Sequence, residues 1–199
     1  QINIAFAGIT YGKRVMRCGK GKISATDTLM SGPYAMGSNL VFPFIAGGAV
    51  IMDHLVDQAV NKPEKIISAF ERIDLYISIP TNISKIIDLL DQPEIARKTA
   101  NIEIITSAGA TLPSSTFRNF VFKAKSKGIK TVILDGIGTS ELQHIFISNY
   151  FDDLASDRGS IGKLVPGYEA VLFNSTPVTD GETFVGIRGE LGIRTVNDE

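Results

Sequence analysis

Residues 75–90 read Leu-Tyr-Ile-Ser-Ile-Pro-Thr-Asn-Ile-Ser-Lys-Ile-Ile-Asp-Leu-Leu, and the apolar pattern changes at Pro80. Residues 75–79 form a short apolar run suited to a strand buried on both faces. Proline has no backbone N–H and a fixed φ, so it ends the strand yet tolerates the first turn of a helix. Beyond it Ile83, Ile86, Ile87 and Leu90 recur at helical spacing, with Thr81 or Asn82 available as a cap. A strand running straight into an amphipathic helix is half of a βαβ unit.

The same alternation extends outward. Upstream, residues 49–52 read as a short buried strand. Residues 63–72 read as a helix with Ile66, Ile67, Phe70 and Ile73 on one side. Downstream, residues 102–105 and 131–134 read as strands. Between them residues 113–127 read as a helix presenting Phe117, Phe120, Val121 and Ala124, with Gly128 as its stop. Strands alternating with long helices imply parallel pairing through right-handed crossovers. After residue 157 the pattern becomes short strands with Gly and Pro turns, at 168–173 and 187–194. The predicted architecture is therefore α/β. A mostly parallel sheet with helices on both faces spans 1–157, and a small antiparallel β-subdomain spans 158–199. At the start, residues 2–17 read as a helix broken by Cys18-Gly-Lys-Gly-Lys22.

Composition narrows the function. The 199 residues are 44% hydrophobic and 21% charged, with formal net charge −1, which is ordinary for a globular domain. That balance argues against nucleic acid held by phosphate neutralisation and against a polybasic membrane-surface role. No apolar run reaches the ~18 residues of a membrane span. Neither a basic stretch nor an apolar signal segment follows Gln1. Cys18 is the one cysteine, so no intramolecular disulfide can form; this fits a reducing compartment, and a cytoplasmic location is expected. One Cys with His54 and His144 does not compose a conventional zinc site.

In an open parallel sheet, ligands bind beyond the carboxyl ends of the strands. Three such ends carry unusual loops: Pro80-Thr81, Ser107-Ala-Gly-Ala-Thr111 and Asp135-Gly-Ile-Gly-Thr-Ser-Glu141. If the strands are neighbours, these loops line one crevice. The third has two glycines that admit close backbone approach, then two hydroxyls and a carboxylate suited to a hard cation. Without the ligand, it reads as a tight strand-to-helix connection. A helix there would place Glu141 and His144 on one face. His144 beside Ile145, Phe146 and Ile147 reads, from its neighbours alone, as a packed histidine. The Gly-Lys-Gly-Lys stretch lacks the spacing and the following Ser or Thr of a Walker loop and reads as a solvated turn. His54 has no assigned role. Asp152, Asp153 and Asp157 read as a solvated acidic loop.

Asp135-Gly-Ile-Gly-Thr-Ser-Glu141-Leu-Gln-His144-Ile-Phe-Ile-Ser-Asn149 resembles the corresponding segment of benzoate-CoA ligases in the adenylate-forming superfamily. Collinear stretches support the resemblance. They are Tyr34-Ala-Met-Gly37 with Phe42-Pro43, Pro80-Thr81, and Thr106-Ser-Ala-Gly-Ala-Thr-Leu-Pro113. Gly159-Ser-Ile-Gly-Lys163 with Pro166-Gly-Tyr-Glu169, and Gly189-Glu190-Leu191 with Arg194, complete the series. Departures from the family pattern are Pro33, Ala35, Ala110 and Gly192.

The resemblance implies an acid-thiol ligase that uses ATP, Mg²⁺ and coenzyme A to activate a small, benzoate-like carboxylic acid through an acyl-adenylate. It implies that Glu141 helps hold Mg²⁺ and that Thr139 and Ser140 donate hydroxyls to phosphate oxygens. Gly109, Ala110, Thr111, Asp135, Gly136 and Ile137 would frame the adenine of ATP or AMP. Pro33, Tyr34, Gly138, His144 and Ile145 would line the acid pocket. It also implies a phosphate loop before Gln1, and a ribose-binding segment and small lysine-bearing domain after Glu199. The chain is thus expected to be an internal piece of the large domain, inactive alone. A fatty-acyl or amino-acid adenylating enzyme, or a non-catalytic nucleotide- or acyl-binding module, are the alternatives.

Overall fold

The computed structural model describes residues 2–52, 62–142, 144–149, 161–180 and 183–196. His54, Asp152, Asp153, Asp157, Gly159 and Ser160 lie outside them.

Seven strands form one sheet in the order β2-β1-β3-β4-β5-β6-β7. They are β1 (Ile23–Thr26), β2 (Ala49–Val50), β3 (Leu75–Ser78), β4 (Ile104–Ser107), β5 (Val132–Gly138), β6 (Ile145–Ser148) and β7 (Lys163–Leu164). Every pairing from β2 through β5 is parallel; β6 pairs antiparallel with β5 and with β7. The last two strands, β8 (Tyr168–Asp180) and β9 (Thr183–Thr195), form a separate antiparallel ribbon. The predicted fold class holds.

Successive strand residues serve opposite layers, as the period of two requires. Leu75, Ile77, Ile104, Val132 and Leu134 pack with Ala7, Tyr11, Met16 and Phe42 from the N-terminal helices. Tyr76, Ile105 and Ile133 pack on the other face with Ile83, Ile86, Ile87 and Leu90. That second layer also holds Phe117 and Phe120 from the helix Ser114–Ser126. The isoleucine stripe after Pro80 is 2% exposed or less, and each such side chain stabilises the fold by roughly 1.5–3 kcal/mol.

Several local readings change. The helix Pro80–Leu89 has Ile79 as its N-cap, with no side-chain cap bond. Pro80 itself opens the first turn, where the missing N–H costs nothing. Asn82 is buried and bonds Asp27 instead. Val121 is 43% exposed, because a helix stripe three residues wide already fills the contact. Residues 63–72 form a tighter 3-10 helix, Pro63–Ala69. The strand expected at 49–52 is a two-residue edge strand with Ala49 exposed.

The Gly-Lys turn proves structural. Lys22 Nζ bonds Glu103 and lies 3.3 Å from Asp74 Oδ1, just before β4 and β3 begin. It therefore closes the amino edge of the sheet, opposite the carboxyl ends of the strands.

Candidate functional site

Thr26, Ile77, Thr106 and Leu134 are aligned across β1, β3, β4 and β5; Ser78, Ser107 and Asp135 make the next row. Polar residues thus replace apolar ones as the strands reach their carboxyl ends. A crevice forms at this edge from the second and third of the expected loops, whereas Pro80 and Thr81 open a helix and line neither of its cavities.

The segment 135–141 departs from the expected loop-to-helix connection. Asp135 to Gly138 continue β5 and turn antiparallel to β6, with Gly136 opposite Ser148 and Gly138 opposite Ile145. A turn over 141–142 precedes β6, so Glu141 and His144 do not share a helix face. The glycines are required by close approach: a Cβ on Gly138 would strike the His144 carbonyl group, and one on Gly136 would lie 2.9 Å from the Ile147 oxygen.

Two cavities flank this strand. The first, about 240 Å³, is lined by Pro33, Tyr34, Ala108, Gly109, Gly138, Thr139, Ser140, His144 and Ile145. The second, about 320 Å³, is lined by Gly109, Ala110, Thr111, Asp135, Gly136, Ile137, Gly138 and Ile161. Gly109 and Gly138 belong to both. The structure therefore brings together all five residues of the expected acid pocket in one cavity, and all six of the expected adenine frame in the other. Thr139 and Ser140 line the first, and Glu141 follows them, exposed.

Tyr34 and His144 form the aromatic side of the first cavity, with ring centroids 5.7 Å apart. The Tyr34 hydroxyl is 2.7 Å from Thr106 Oγ1, and burial holds that phenol well above its ordinary range, so it stays protonated. His144 is 4% exposed, between Tyr11, Tyr34 and Phe42. Its Nε2 lies 2.9 Å from Ser38 Oγ and 3.3 Å from the Tyr34 carbonyl oxygen. A carbonyl only accepts, so the Nε2–H tautomer satisfies that contact. Its Nδ1 has no hydrogen-bond partner. Burial pushes the imidazole down to about 4, against the smaller opposing pull of the Tyr34 carbonyl, so the ring is neutral near pH 7. In the second cavity, Asp135 Oδ2 accepts from the Leu112 N–H at 3.4 Å.

Three residues to which the sequence analysis gave no role contribute here. Ser38 holds His144, and Thr106 holds Tyr34. Asp27, fully buried, accepts from Tyr76 Oη at 2.5 Å and Ser78 Oγ at 2.8 Å beside the same edge. Burial, partly offset by these donors, pushes its carboxyl up to about 6. No local pattern gave these contacts, because each partner lies at least 49 residues away.

Comparison with known proteins gives this geometry a family context. No protein-family model matches the chain. It is 28% identical over 190 residues to a benzoate–CoA ligase of Thauera aromatica, covering 92% of this chain and 32% of that protein. It is 27% identical over 177 residues to an anthranilate–CoA ligase of Pseudomonas aeruginosa, covering 86% and 31%. A crystal structure of a benzoate CoA ligase from Burkholderia xenovorans LB400 superposes with a TM-score of 0.74 at 28% identity, over 98% of this chain and 37% of that one. The chain is related to the aryl-CoA ligases of the adenylate-forming superfamily. It spans about a third of the length of these ligase relatives.

Among the described residues, no group of three or more His, Cys, Asp and Glu could hold a metal ion. Magnesium keeps several waters and takes one or two carboxylates plus phosphate oxygens, and the exposed Glu141 beside Thr139 and Ser140 fits that donor set. No helix among the described residues is long and apolar enough to cross a membrane.

Proposed function

We propose that this chain forms the acid- and nucleotide-binding part of an ATP-dependent acid-thiol ligase whose acid is a small aromatic carboxylate. The observation that carries the reading is the pair of cavities sharing Gly109 and Gly138. A reaction joining an acid to a nucleotide needs two adjoining sites whose contents meet at one point. The first cavity is smaller than the ≈ 300–1,000 Å³ typical for drug-sized ligands and carries aromatic walls, which suits a benzoate-like acid.

In this reading Pro33, Tyr34, Gly138, His144 and Ile145 hold the acid. Gly109, Ala110, Thr111, Asp135, Gly136 and Ile137 frame the adenine of ATP. The protonated Tyr34 and neutral His144 add no negative charge against a carboxylate. A carboxylate oxygen attacks the α-phosphorus and the bond to pyrophosphate breaks; the thiol of coenzyme A then attacks the acyl carbon and AMP leaves. Thr139 and Ser140 donate hydroxyls to phosphate oxygens, and Glu141 holds Mg²⁺. Bound magnesium supplies neutralisation of the charge that develops on those oxygens. The buried lone thiol of Cys18 supports a cytoplasmic setting.

The test is calorimetric titration with a non-hydrolysable benzoyl-adenylate mimic, a benzoyl sulfamoyl adenosine. Saturable one-to-one binding, lost in Gly138→Leu, is expected. Tighter binding of palmitoyl or aminoacyl mimics would refute the aromatic reading. Because the chain spans a third of its relatives, we also expect binding without multiple turnover. Thioester formation from ATP, Mg²⁺, benzoate and coenzyme A, followed by mass spectrometry and abolished by Glu141→Ala, would overturn that expectation.

A further inference from the structure

Beside the first cavity a buried polar atom stands without a hydrogen-bond partner among the described residues: His144 Nδ1. The other ring nitrogen is satisfied, with Nε2 2.9 Å from Ser38 Oγ and 3.3 Å from the Tyr34 carbonyl oxygen. Moving the proton to Nδ1 would bury an N–H with no acceptor. It would also turn the Nε2 lone pair on the Tyr34 carbonyl, which only accepts. The proton therefore stays on Nε2, where Ser38 and the carbonyl receive it, and Nδ1 carries a bare lone pair. An acceptor hidden from water in this way costs free energy until a donor reaches it.

The direction of that lone pair follows from the ring. A Cβ built on Gly37 would lie 2.7 Å from His144 Cδ2 and 3.0 Å from Nε2. In an imidazole, Nδ1 is the atom opposite the Cδ2–Nε2 bond, so its lone pair leaves on the side away from Gly37. Gly37 is not among the residues that line the cavity, and His144 is. Phe42 meets the ring edge to face with centroids 4.5 Å apart, and Tyr11 and Tyr34 pack at 5.1 and 5.7 Å, so the ring is held in this orientation.

We propose that His144 Nδ1 accepts a hydrogen bond from a donor on the ring of the acid, and that Ser38 is the positioning residue that keeps Nδ1 an acceptor. The acid is then an aromatic carboxylate bearing an amino or hydroxyl substituent. This rests on the reading of the first cavity as the acid site and sharpens it. A methyl group of the same size would fill the same space and leave Nδ1 bare.

The test compares acyl sulfamoyl adenosines on the 199-residue chain by calorimetry. Aminobenzoyl mimics with the amino group ortho, meta or para are each set against the methylbenzoyl mimic of the same pattern. One aminobenzoyl isomer should bind about three- to tenfold tighter than its methyl counterpart, the net worth of one hydrogen bond. In a His54→Gln chain, His144 is the one histidine, so nitrogen NMR of isotopically labelled histidine reads it alone. The proton should sit on Nε2, and the tighter-binding isomer should move the Nδ1 resonance upfield where its methyl counterpart does not. Ser38→Ala should bring the amino-over-methyl ratio toward one, a change that a general loss of stability would not produce. If every amino and methyl pair binds alike, if the proton sits on Nδ1, or if Ser38→Ala keeps the ratio, the proposal is overturned and the aromatic site stands. If no aromatic mimic binds at all, the site reading and this inference fall together.

Discussion

The His144 ring fills the space that a side chain at Gly37 would need: a Cβ there would lie 2.7 Å from His144 Cδ2, 3.0 Å from Nε2 and 3.1 Å from Phe42 Cζ. Gly37 is thus the floor on which the imidazole rests. Gly37→Ala should overpack this contact, at a cost of about 1–3 kcal/mol. Urea denaturation measures the loss. Because the ring lines the first cavity, binding of the benzoyl mimic should weaken in the same variant; unchanged stability and binding would show the contact to be slack.

Tyr34→Phe removes the hydroxyl that bonds Thr106 Oγ1 and leaves that oxygen without its partner. A stability loss of about 0.5–1.5 kcal/mol is expected. The change lies in the first cavity alone, so affinity for benzoate should move while affinity for AMP stays constant. Equal effects on both ligands would contradict the separation of the two cavities.

Asp27 and His144 should oppose each other in the pH dependence of stability. Asp27 is raised from 3.8 to about 6, so its contribution is full below pH 4 and is lost as pH rises through 6. His144 is lowered from 6.5 to about 4, so its contribution is full above pH 6.5 and is lost as pH falls through 4. Each shift of about two units is on the order of 3 kcal/mol. Between pH 4 and 6 the two slopes offset. Asp27→Asn should therefore leave stability climbing with pH, and His144→Gln should leave it falling. Thermal melts across that range read the sign directly; parallel slopes in both variants would contradict the assignment.

Lys22→Ala should cost about 1 kcal/mol or less, because the ion pairs to Asp74 and Glu103 are about a third exposed and screened by solvent. Ligand affinity should be unaffected, since these pairs close the far edge of the sheet. A loss of nucleotide binding in this variant would revive the phosphate-loop reading of Gly19 to Lys22.

What the sequence revealed and what it hid follow from range. The strands before Pro80 and around Ile105 and Ile133, and the isoleucine stripe of Pro80–Leu89, are written in local periodicity, and both sheet faces could be read from it. The cavity linings came from motif resemblance, which carries three-dimensional neighbours in linear order. Ile23 to Thr26 is an inner strand next to the edge, made largely of small and polar residues, Ser24, Ala25 and Thr26, with no apolar run to betray it. Gly136 and Gly138 look like a turn, yet pairing with Ile145 to Ser148 draws them into β5. Ser38 and Asp27 owe their positions to contacts across 106 and 49 residues, which no local window contains.

The change of partner direction within β5 has a mechanical implication. Val132 to Asp135 are clamped by a parallel neighbour, Gly136 to Gly138 by an antiparallel one, and a single uninterrupted backbone joins the two halves. Gly136 in the second cavity and Gly138 in both are two residues apart on that backbone. β5 therefore works as a fixed ruler: the spacing between whatever fills the two cavities is set by covalent geometry and cannot be tuned by sliding one layer over another. Under the proposed function, selectivity by length then rests with lining residues outside β5, such as Pro33 in the first cavity and Ile161 in the second.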